Sequence, residues 1–547
     1  MNSRRARTRT AAFLVLLAVV GVAGVARGDT FTDENRGFSL NVPKSWRAIP
    51  IANEEDWIVA KWLCDREYAD PKEGSTHTPD LKVIIFPHDL KRSVEVDKVD
   101  DGFSFLRVKN PYKNYKEYVK SDGQGGRYVS KEEDIVVNGM KTTWYEVKFE
   151  KLTAARRAIA FMYHTDDVDY VAQYEALECQ WDKLSPAYIA SLKSFKTFPP
   201  KKALKGETTG GNIVLKDTSK MTPEEKAKEK ADRFERNVAK ATERLTDGWT
   251  VKRSKNYVAI SHVDDKFTSK VLEQAEAVRA WCEQNFGYLG DGTITGKIIR
   301  ICLDSKEQNA FSDVSSRSGI GWGGIGEIVI ARDDGAWGFR SVNSGIAQGW
   351  MRDKNPDVAS AMPPWLSNGL RDYVRLAYAK GGRLDFGQDV DDLISLKVAA
   401  KTGKLIKPKE MLTLTYDELW EKEKASAAEP GNKSGLRGFG GSAYGQLSGL
   451  FRYLIAGPGA KNPRTKDLLK NYIKSIQDLV GEDKPTVVGS TDTPATEEEE
   501  DKRFKERQSE WKTREMETLQ KIFDKTFSAW TDADWTAFEK SYTASVS

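Results

Sequence analysis

Clustered histidines and cysteines, which hold most protein-bound zinc, are missing from this chain. Four histidines and four cysteines are spread over 547 residues, and no C-x-x-C pair occurs. No histidine has a second histidine within a few residues of it. Zinc sites draw three or four ligands from such clusters. The composition therefore argues against a zinc site, and we predict neither a metal nor a cofactor.

Long apolar runs are also missing beyond the N-terminus. The one clear run, residues 11–26, follows a basic segment with four arginines. It is shorter than the roughly 20 residues that a membrane-spanning helix needs. Small residues at Ala26 and Gly28 fit a signal-peptidase site. We predict that residues 1–28 are a signal peptide and that the protein is exported, to the periplasm, the cell envelope or the medium.

A strong net charge is missing too. The chain has 85 basic and 81 acidic residues, and residues 1–28 hold five arginines and no acid. Without that segment, 80 basic residues face 81 acidic ones. Nucleic acids and anionic membranes select basic surfaces. We therefore expect neither as a partner, and no spanning segment after the signal peptide. A peptide or protein partner stays possible on this composition, and the oligomeric state is open.

Residues 29–198 carry the alternation of apolar and polar side chains that is typical of strands. The predicted strands are residues 38–42, 57–62, 81–86, 142–149, 158–163 and 170–176. Helices are predicted at residues 110–120, with Asn110 as N-cap and Pro111 at the first position, and at 186–195. Many strands with few helices indicate an α+β fold, an antiparallel-sheet sandwich covered by helices.

The opening of this segment resembles PsbP-like domains. Residues 35–46 combine a G-F-S-L strand pattern with P-x-x-W, and residues 191–195 are similar to the last helix of that family. Alternate residues from Phe38 to Val42 share one face of the first strand and would be buried, with Trp46 closing its end. The resemblance implies a binding or docking domain, because the family is mostly non-enzymatic.

We interpret residues 199–255 as a linker followed by a charged helix. Residues 199–220 begin with Pro-Pro-Lys-Lys and contain Thr-Thr-Gly-Gly, a composition typical of linkers. Thr222 and Glu225 match a capping box that begins a helix extending towards Leu245. Its many charges favour a solvated helix over a nucleic-acid surface.

The remaining residues, 256–547, alternate strands with helices before becoming mainly helical. Strands are predicted at residues 257–262, 297–303 and 327–331, and helices at 267–286, 338–351, 364–379, 390–400, 441–455 and 510–527. Residues 485–505 include four consecutive glutamates and an aspartate, and we expect a mobile acidic insert there. The second domain is therefore predicted to be mainly helical with a small sheet.

The four cysteines fit two interpretations. Export permits disulfides, and Cys64 with Cys179, or Cys282 with Cys302, would each stay within one predicted domain. Free cysteine is also commonly buried. Four buried thiols are therefore the alternative, and both interpretations stay open.

The order of elements in residues 256–547 resembles gluzincin metallopeptidases of the peptidase-MA type. In that family one helix carries H-E-x-x-H, whose histidines bind zinc and whose glutamate is the general base. A second helix opens with a Pro-Trp-Leu-x-Glu-Gly-Leu pattern, whose glutamate is the third ligand. Residues 364–373 are similar to this second helix, and residues 441–454 and 519–535 are similar to later segments of the family.

The residues that would carry the chemistry of that family are replaced here. Ser344 and Gln348 stand where the two histidines belong, Gly345 stands in place of the general base, and Asn368 stands in place of the third ligand. Hydroxyl and amide oxygens bind zinc weakly. Asp372, one turn after Asn368, is a single carboxylate with a surface or supporting role. The resemblance therefore implies a pseudopeptidase, not an enzyme, that binds or scaffolds other molecules.

A peptide held along an edge strand is the expected mode of binding, because gluzincins pair substrate backbone with the strand that residues 327–331 would form. The candidate binding residues are Trp322, Glu327, Ile328, Val329, Ile330, Trp337, Asp372 and Tyr444. We interpret the glycine-rich residues 321–326 as a turn and not a phosphate loop, since a strand follows them.

Two alternatives to a peptide-binding pseudopeptidase stay open. A hydrolase of another mechanism would be favoured by a histidine or aspartate beside Ser344. A structural cell-envelope protein would be favoured if side chains fill the former cleft.

Limited proteolysis tests the division into domains. Residues 199–220 and 485–505 lack apolar periodicity, and segments of that kind are the preferred sites of nicking. The first cuts should fall in these two segments when fragments are mapped by mass spectrometry. First cuts inside residues 38–195 would contradict the division.

Overall fold

The fold is that of a computed structural model. The structure describes residues 29–53, 55, 57–88, 93–98, 104–109, 112, 114–120, 127–149, 154–201, 221–317, 327–387, 390–427, 443–482 and 497–546. The predicted signal peptide 1–28, the cap residues Asn110 and Pro111, residues 202–220, residues 321–326 with Trp322, and residues 483–496 lie outside these ranges. No helix in the described ranges combines the length and hydropathy needed to cross a bilayer.

Strands dominate residues 29–201. They are β1 (Asp29–Asp33), β2 (Phe38–Val42), β3 (Trp46–Ala48), β4 (Ile58–Cys64), β5 (Tyr68–Ala69), β6 (Thr76–His77), β7 (Asp80–Pro87), β8 (Ser93–Lys98), β9 (Ser104–Lys109), β10 (Arg127–Val137), β11 (Met140–Phe149), β12 (Arg156–His164), β13 (Val168–Leu177) and β14 (Lys196–Thr197). The helices among them are α1 (Tyr115–Lys120) and α2 (Trp181–Leu192). Seven strands form an antiparallel sheet in the order β10-β11-β12-β13-β7-β4-β3. The predicted α+β class is confirmed.

One face of the seven-stranded sheet carries an aromatic core that β2 and α2 cover. The alternating residues of β2, from Phe38 to Val42, are buried there as predicted. Trp46 is partly buried, and its ring meets that of Tyr174 edge-on at 5.3 Å between centroids. The apolar alternation in the sequence therefore identifies this face of the sheet.

The opposite face of the same sheet buries charged side chains. Three ion pairs lie there: Lys61–Glu55 at 2.9 Å, Lys82–Asp80 at 3.3 Å and Arg156–Glu175 at 2.7 Å. Both members of the first pair are almost wholly removed from solvent. A buried charge is tolerated where an opposite charge compensates its lost hydration. On this face, each cation of these pairs is therefore compensated by an anion.

Several N-terminal elements differ from the predictions, among them β10 and α1. β10 was not predicted, because the charged residues 131–134 obscure its alternation. It is an edge strand of the described sheet, where charged side chains stay in solvent. α1 begins at Tyr115, and the side chain of Asn114 accepts a hydrogen bond from the backbone N–H of Glu117.

Helices dominate residues 221–546. The elements are α3 (Pro223–Glu243), β15 (Thr250–Arg253), β16 (Tyr257–Ser261), α4 (Asp265–Phe286), β17 (Lys297–Cys302), α5 (Ser305–Arg317), β18 (Glu327–Ala331), α6 (Ala336–Lys354), α7 (Pro356–Ser360), α8 (Pro364–Arg375), β19 (Ala377–Lys380), β20 (Arg383–Phe386), α9 (Val390–Lys401), α10 (Pro408–Met411), α11 (Tyr416–Ala427), α12 (Ala443–Ile455), α13 (Leu468–Glu482), α14 (Glu497–Phe527) and α15 (Asp532–Val546). A four-stranded sheet has the order β15-β16-β17-β18, and its last three strands are parallel. The predicted mainly helical region with a small sheet is confirmed.

The acidic insert predicted at residues 485–505 is wrong over its second part. Residues 497–505 belong to α14, which begins at Glu497. Glutamates in the first turn are favoured by the helix dipole, so the acidic run marks a helix start. Helices α5, α11, α13 and α15 were not predicted; α5, for example, has few apolar residues to set a helical period.

The charged helix α3 is more than a solvated connection. It begins with the predicted capping box, in which Thr222 and Glu225 exchange hydrogen bonds of 3.2 and 2.8 Å. Near its end, Val238 and Ala241 are buried against the four-stranded sheet in a cluster that also contains Ala52. The expectation of a fully solvated helix is therefore wrong for its C-terminal half.

A seam of polar contacts joins the residues before α3 to those after it. Arg47 on β3 donates to both carboxylate oxygens of Asp304, at 2.6 and 2.7 Å. Lys240 on α3 donates to the backbone carbonyl of Asn53 at 2.5 Å. We call these contacts and the burial of Ala52 the seam. The proposed domain boundaries at residues 198 and 256 stay a prediction, and the seam holds the two regions together.

All four cysteines are free thiols in the structure. Cys64, Cys282 and Cys302 are buried, whereas Cys179 is exposed. The structure therefore departs from both interpretations of the sequence, because it contains no disulfide and one thiol reaches solvent.

The ion pair of the seam can be measured by a double-mutant cycle with Arg47→Ala and Asp304→Ala. We expect a favourable coupling of about 1 kcal/mol in urea unfolding, because Arg47 Nη2 donates to both carboxylate oxygens and the pair is partly buried. The Arg47 hydrogen bonds, against an opposing effect of burial, lower the pKa of Asp304. The coupling should therefore be complete above about pH 4 and fade as the pH falls below it. A coupling no larger than that of the exposed pair Lys228–Asp232 would contradict this.

Gly369 on α8 is predicted to be intolerant of a side chain. A Cβ there would lie 2.7 Å from Phe451 Cβ and 3.2 Å from the Leu447 carbonyl on α12. Neither atom can rotate away, so Gly369→Ala should lower the free energy of unfolding by about 1–3 kcal/mol. Gly345→Ala should cost less, because it meets the tip of a flexible side chain, Ile328 Cδ1, at 2.9 Å. Equal losses in urea unfolding would refute this account.

Candidate functional site

The predicted catalytic helix exists as α6, but its polar positions take part in packing. Ile346, Ala347 and Trp350 are buried in the main core, which fixes the rotation of the helix. Ser344 donates from its hydroxyl to the carbonyl of Arg340 at 2.9 Å, within its own helix. Gln348 is exposed. The two positions expected for histidines therefore differ from each other in exposure.

Gly345, at the position of the general base, lies against the four-stranded sheet. Its Cα carries no side chain towards Ile328 of β18, and a Cβ would come within 2.9 Å of the Ile328 side chain. Glycine here allows α6 to lie close to β18. The residue therefore serves a close helix–sheet contact and has no group that could move a proton.

The position of the third ligand on α8 is closed. Asn368 and Asp372 are each only 5% exposed. Asp372 lies 3.1 Å from Arg371 and 3.7 Å from Arg375, so two cations compensate its charge. Asn368 Nδ2 has no hydrogen-bond partner among the described residues. Asp372 was predicted to have a surface or supporting role. In the structure it is buried and ion-paired.

Helices α6 and α8 pack against each other. Asn343 of α6 is fully buried, and its amide donates to the carbonyls of Val374 and Ala377 at 3.1 and 2.8 Å. The structure thus pairs the two predicted helices. Among the described residues, no hydrogen bond or ion pair directly links the side chains of Ser344, Gln348 and Asn368.

The donor groups at these positions are not those that hold zinc in proteins. They are a hydroxyl and two amides, and Ser344 already bonds within its helix. Zinc in proteins is held by thiolate, imidazole and carboxylate. Among the described residues, no group of three or more His, Cys, Asp or Glu side chains could hold a metal ion. The zinc of the gluzincin family therefore does not fit these residues.

Strand β18 lies at the edge of its sheet, as predicted, but its outward backbone groups are partly engaged. The carbonyl of Val329 accepts a hydrogen bond from the Gln308 side chain at 3.1 Å. The N–H of Ala331 donates to Asp334 at 2.9 Å. An added peptide strand needs these groups. A peptide at this edge would have to displace both side chains.

The side chains of β18 point into the protein. Glu327 forms a bidentate pair with Arg300 at 2.7 and 3.0 Å, and both are buried. Ile330 is buried and Ile328 is partly buried. Trp337, at the start of α6, is 53% exposed, and the Arg340 guanidinium lies 4.7 Å from its ring centroid. Among the members of the predicted binding set that the structure describes at this edge, Trp337 is the most exposed.

Tyr444 lies beside a second tyrosine that sequence analysis did not single out. Burial raises the pKa of Tyr416, whose hydroxyl is hydrogen-bonded to Ser367 and whose surroundings include Arg371 and Tyr444. The two tyrosines come from α11 and α12, so no local pattern connects them.

The His262–Glu307 pair also escaped sequence analysis. His262 Nδ1 lies 2.8 Å from Glu307 Oε1, and Glu307 Oε2 accepts the N–H of Leu303 at 2.6 Å. The ring of Trp249 stacks on His262 at 5.1 Å. Glu307 is fully buried beside the sheet. Its second oxygen holds the start of α5, so the pair fixes local structure.

Lys297 and Asp353 form another missed pair of titratable groups. Burial lowers the pKa of Lys297, which begins β17, and raises the pKa of Asp353 near the end of α6. Each charge opposes the shift of the other. Asp353 also accepts the N–H of Thr295 at 3.0 Å. Shifted pKa values mark candidate sites only where a cleft adjoins them.

No family model matches the chain, and no curated protein matches it. Among solved structures, it is similar to cyanobacterial PsbP (CyanoP) from Synechocystis sp. PCC 6803, with 16% identity, a TM-score of 0.23, and coverage of 33% of this chain and 99% of that one. It is similar to LpqN of Mycobacterium tuberculosis, described as involved in cell envelope biogenesis, with 15% identity, a TM-score of 0.21, and coverage of 31% and 90%.

A structure from Bacteroides thetaiotaomicron is also similar, with 8% identity, a TM-score of 0.19, and coverage of 58% of this chain and 78% of that one. A PsbP protein is thus among the solved structures with a likeness to this chain, although TM-scores this low assign no function. The gluzincin resemblance finds no support in these comparisons.

Proposed function

We propose that the protein is an exported, non-catalytic binding or scaffolding protein built on a peptidase-like frame. The observation that carries the proposal is the condition of the positions where catalysis would occur. Ser344 bonds its own helix, Gly345 packs on the sheet, and Asn368 is buried. Groups that serve packing in this way cannot also bind and activate a substrate.

A hydrolase of another mechanism would need an activated nucleophile. A serine becomes nucleophilic when a base lies within hydrogen-bond reach of its hydroxyl. The Ser344 hydroxyl donates to a backbone carbonyl, and no histidine or carboxylate hydrogen-bonds it among the described residues. This arrangement favours the non-catalytic proposal over a serine hydrolase.

The filled cleft favours scaffolding over peptide capture along β18. Asn368 and Asp372 are buried where an open cleft would expose them. Gln308 and Asp334 already occupy backbone groups at the β18 edge. Partners would then meet outer surfaces, with Trp337 as an exposed aromatic contact. Peptide binding at β18 is the alternative, and it requires those two side chains to move.

Elemental analysis and a peptidase assay test the proposal. The purified protein, dialysed against zinc and then against buffer, should retain no stoichiometric zinc and should cleave no peptide by a zinc mechanism. The reason is chemical: a catalytic zinc needs three protein ligands and a bound water whose pKa it lowers. Hydroxyl and amide donors cannot supply that set. One zinc per chain, removed by a chelator with loss of peptidase activity, would overturn the proposal.

A matched variant tests whether the chain aligns with the gluzincin frame, apart from the loss of the zinc ligands. Ser344→His, Gln348→His and Asn368→Glu together restore the ligand set at the aligned positions. This triple variant should take up one zinc where the parent chain takes up none. If neither protein binds zinc, the protein is still non-catalytic by this mechanism, but the alignment with the gluzincin frame is wrong.

A further inference from the structure

A groove of about 250 Å³ lies between α3, the β15–β16 turn and the loop before β17. Its lining includes Phe234 and Lys230 from α3, Lys255 from the turn, and residues 293–296 from the loop. Gly296 has no side chain, and a Cβ there would lie 2.9 Å from the Phe234 ring. The groove is smaller than the roughly 300–1,000 Å³ of pockets for drug-sized ligands, so its occupant must be small.

The charges of the groove are unbalanced. Glu235, the one carboxylate in its lining, is held by Arg253 through two hydrogen bonds of 2.9 Å. Lys230 and Lys255 form no ion pair within the described ranges. Two positive charges therefore face the groove without an ion-pair partner among the described residues.

Carboxylates close to the groove are already engaged. Glu276 accepts hydrogen bonds from the backbone and side chain of Asn256 at 2.7 and 2.6 Å. Asp353 accepts the N–H of Thr295, and its raised pKa is opposed by Lys297 and Lys230. Neither acid supplies a direct partner for Lys230 or Lys255, so the excess positive charge persists.

Hydroxyl donors complete the wall of the groove. Thr293 and Thr295 line it, and their side-chain hydroxyls make no hydrogen bond to any described residue. The two ammonium groups and the two unused hydroxyls can donate hydrogen bonds, and oxyanions accept hydrogen bonds from both kinds of donor. Glycine at position 296 lets this loop lie close to Phe234 and to the Asn256 carbonyl, because a Cβ there would come within 2.9 and 2.5 Å of them.

We propose that this groove binds a small molecule through an oxyanion, a carboxylate or a phosphate, held by Lys230, Lys255 and the hydroxyls of Thr293 and Thr295. The site lies on the α3 side of the four-stranded sheet, and its lining includes none of the positions 344, 345, 348 and 368. It is therefore independent of whether the peptidase-like frame is non-catalytic. Because α3 also forms part of the seam, an occupant would contact the helix that joins the two regions.

Titration calorimetry with inorganic phosphate and, separately, with acetate and citrate tests this site at constant ionic strength. We expect saturable binding of at least one anion. The double variant Lys230→Gln and Lys255→Gln should weaken it by tenfold or more, since each charge-assisted hydrogen bond contributes about a tenfold change in affinity. The phosphate and carboxylate arms distinguish the two kinds of ligand.

Lys228→Gln is the matched control. It removes the same charge from the same helix, but Lys228 is 78% exposed and pairs with Asp232 at 2.7 Å outside the groove. Binding should be unchanged in this variant. No saturable binding of any of the three anions, or an equal loss of affinity in Lys228→Gln and the groove variant, would overturn the proposal. Thermal unfolding of all variants without anion confirms that each is folded.

Discussion

A buried arginine in the middle of the four-stranded sheet determines how the surrounding parts meet. Arg300 on β17 forms a bidentate pair with Glu327 on β18, and its guanidinium lies between the rings of Trp249 and Phe311. Removing one member of such a pair leaves an uncompensated charge, typically at about 3–5 kcal/mol. The pair therefore fixes β18 against β17 and places α5, which carries Phe311, over the same face.

Several contacts follow from the position of α5. Gln308 on this helix reaches the backbone of β18, and Glu307 holds both His262 and the start of the helix. Asp304, one residue before α5, reaches Arg47 in the N-terminal region. The contacts of α5 and of Asp304 thus link the β18 edge of the sheet, His262 and the seam. The same helix both covers part of the β18 edge and joins the two regions.

Sequence analysis identified the parts of the fold that local chemistry decides. The alternation in β2 and the capping box at Thr222 were confirmed, as were the helix at residues 338–351 and the helix from Pro364 as far as Arg375. Element β10 was missed because charge hides the strand period at a sheet edge. The start of α14 was missed because a run of glutamates indicates disorder as readily as a helix N-terminus.

The secondary-structure elements that carry the candidate positions could be predicted, and the contacts of those positions could not. Residue identities alone indicated that Ser344, Gly345 and Gln348 could not hold zinc. They did not indicate that Asn368 would be buried or that Gln308 would cover β18, because those contacts join residues far apart in the chain. Tyr416 and Tyr444, or Lys230 and Lys255, come together for the same reason.

The ion pairs inside the N-terminal sheet have a consequence for strand alignment. Lys61 lies directly opposite Lys82, and Lys82 opposite Gln173, while their chain neighbours Trp62 and Leu81 belong to the aromatic core. Sliding one strand by a single residue would exchange these sets between the two faces. It would put ammonium groups among aromatic rings and leave carboxylates without cations. The buried charges thus disfavour a shift of the strand register. A sheet with only apolar side chains would lack this effect.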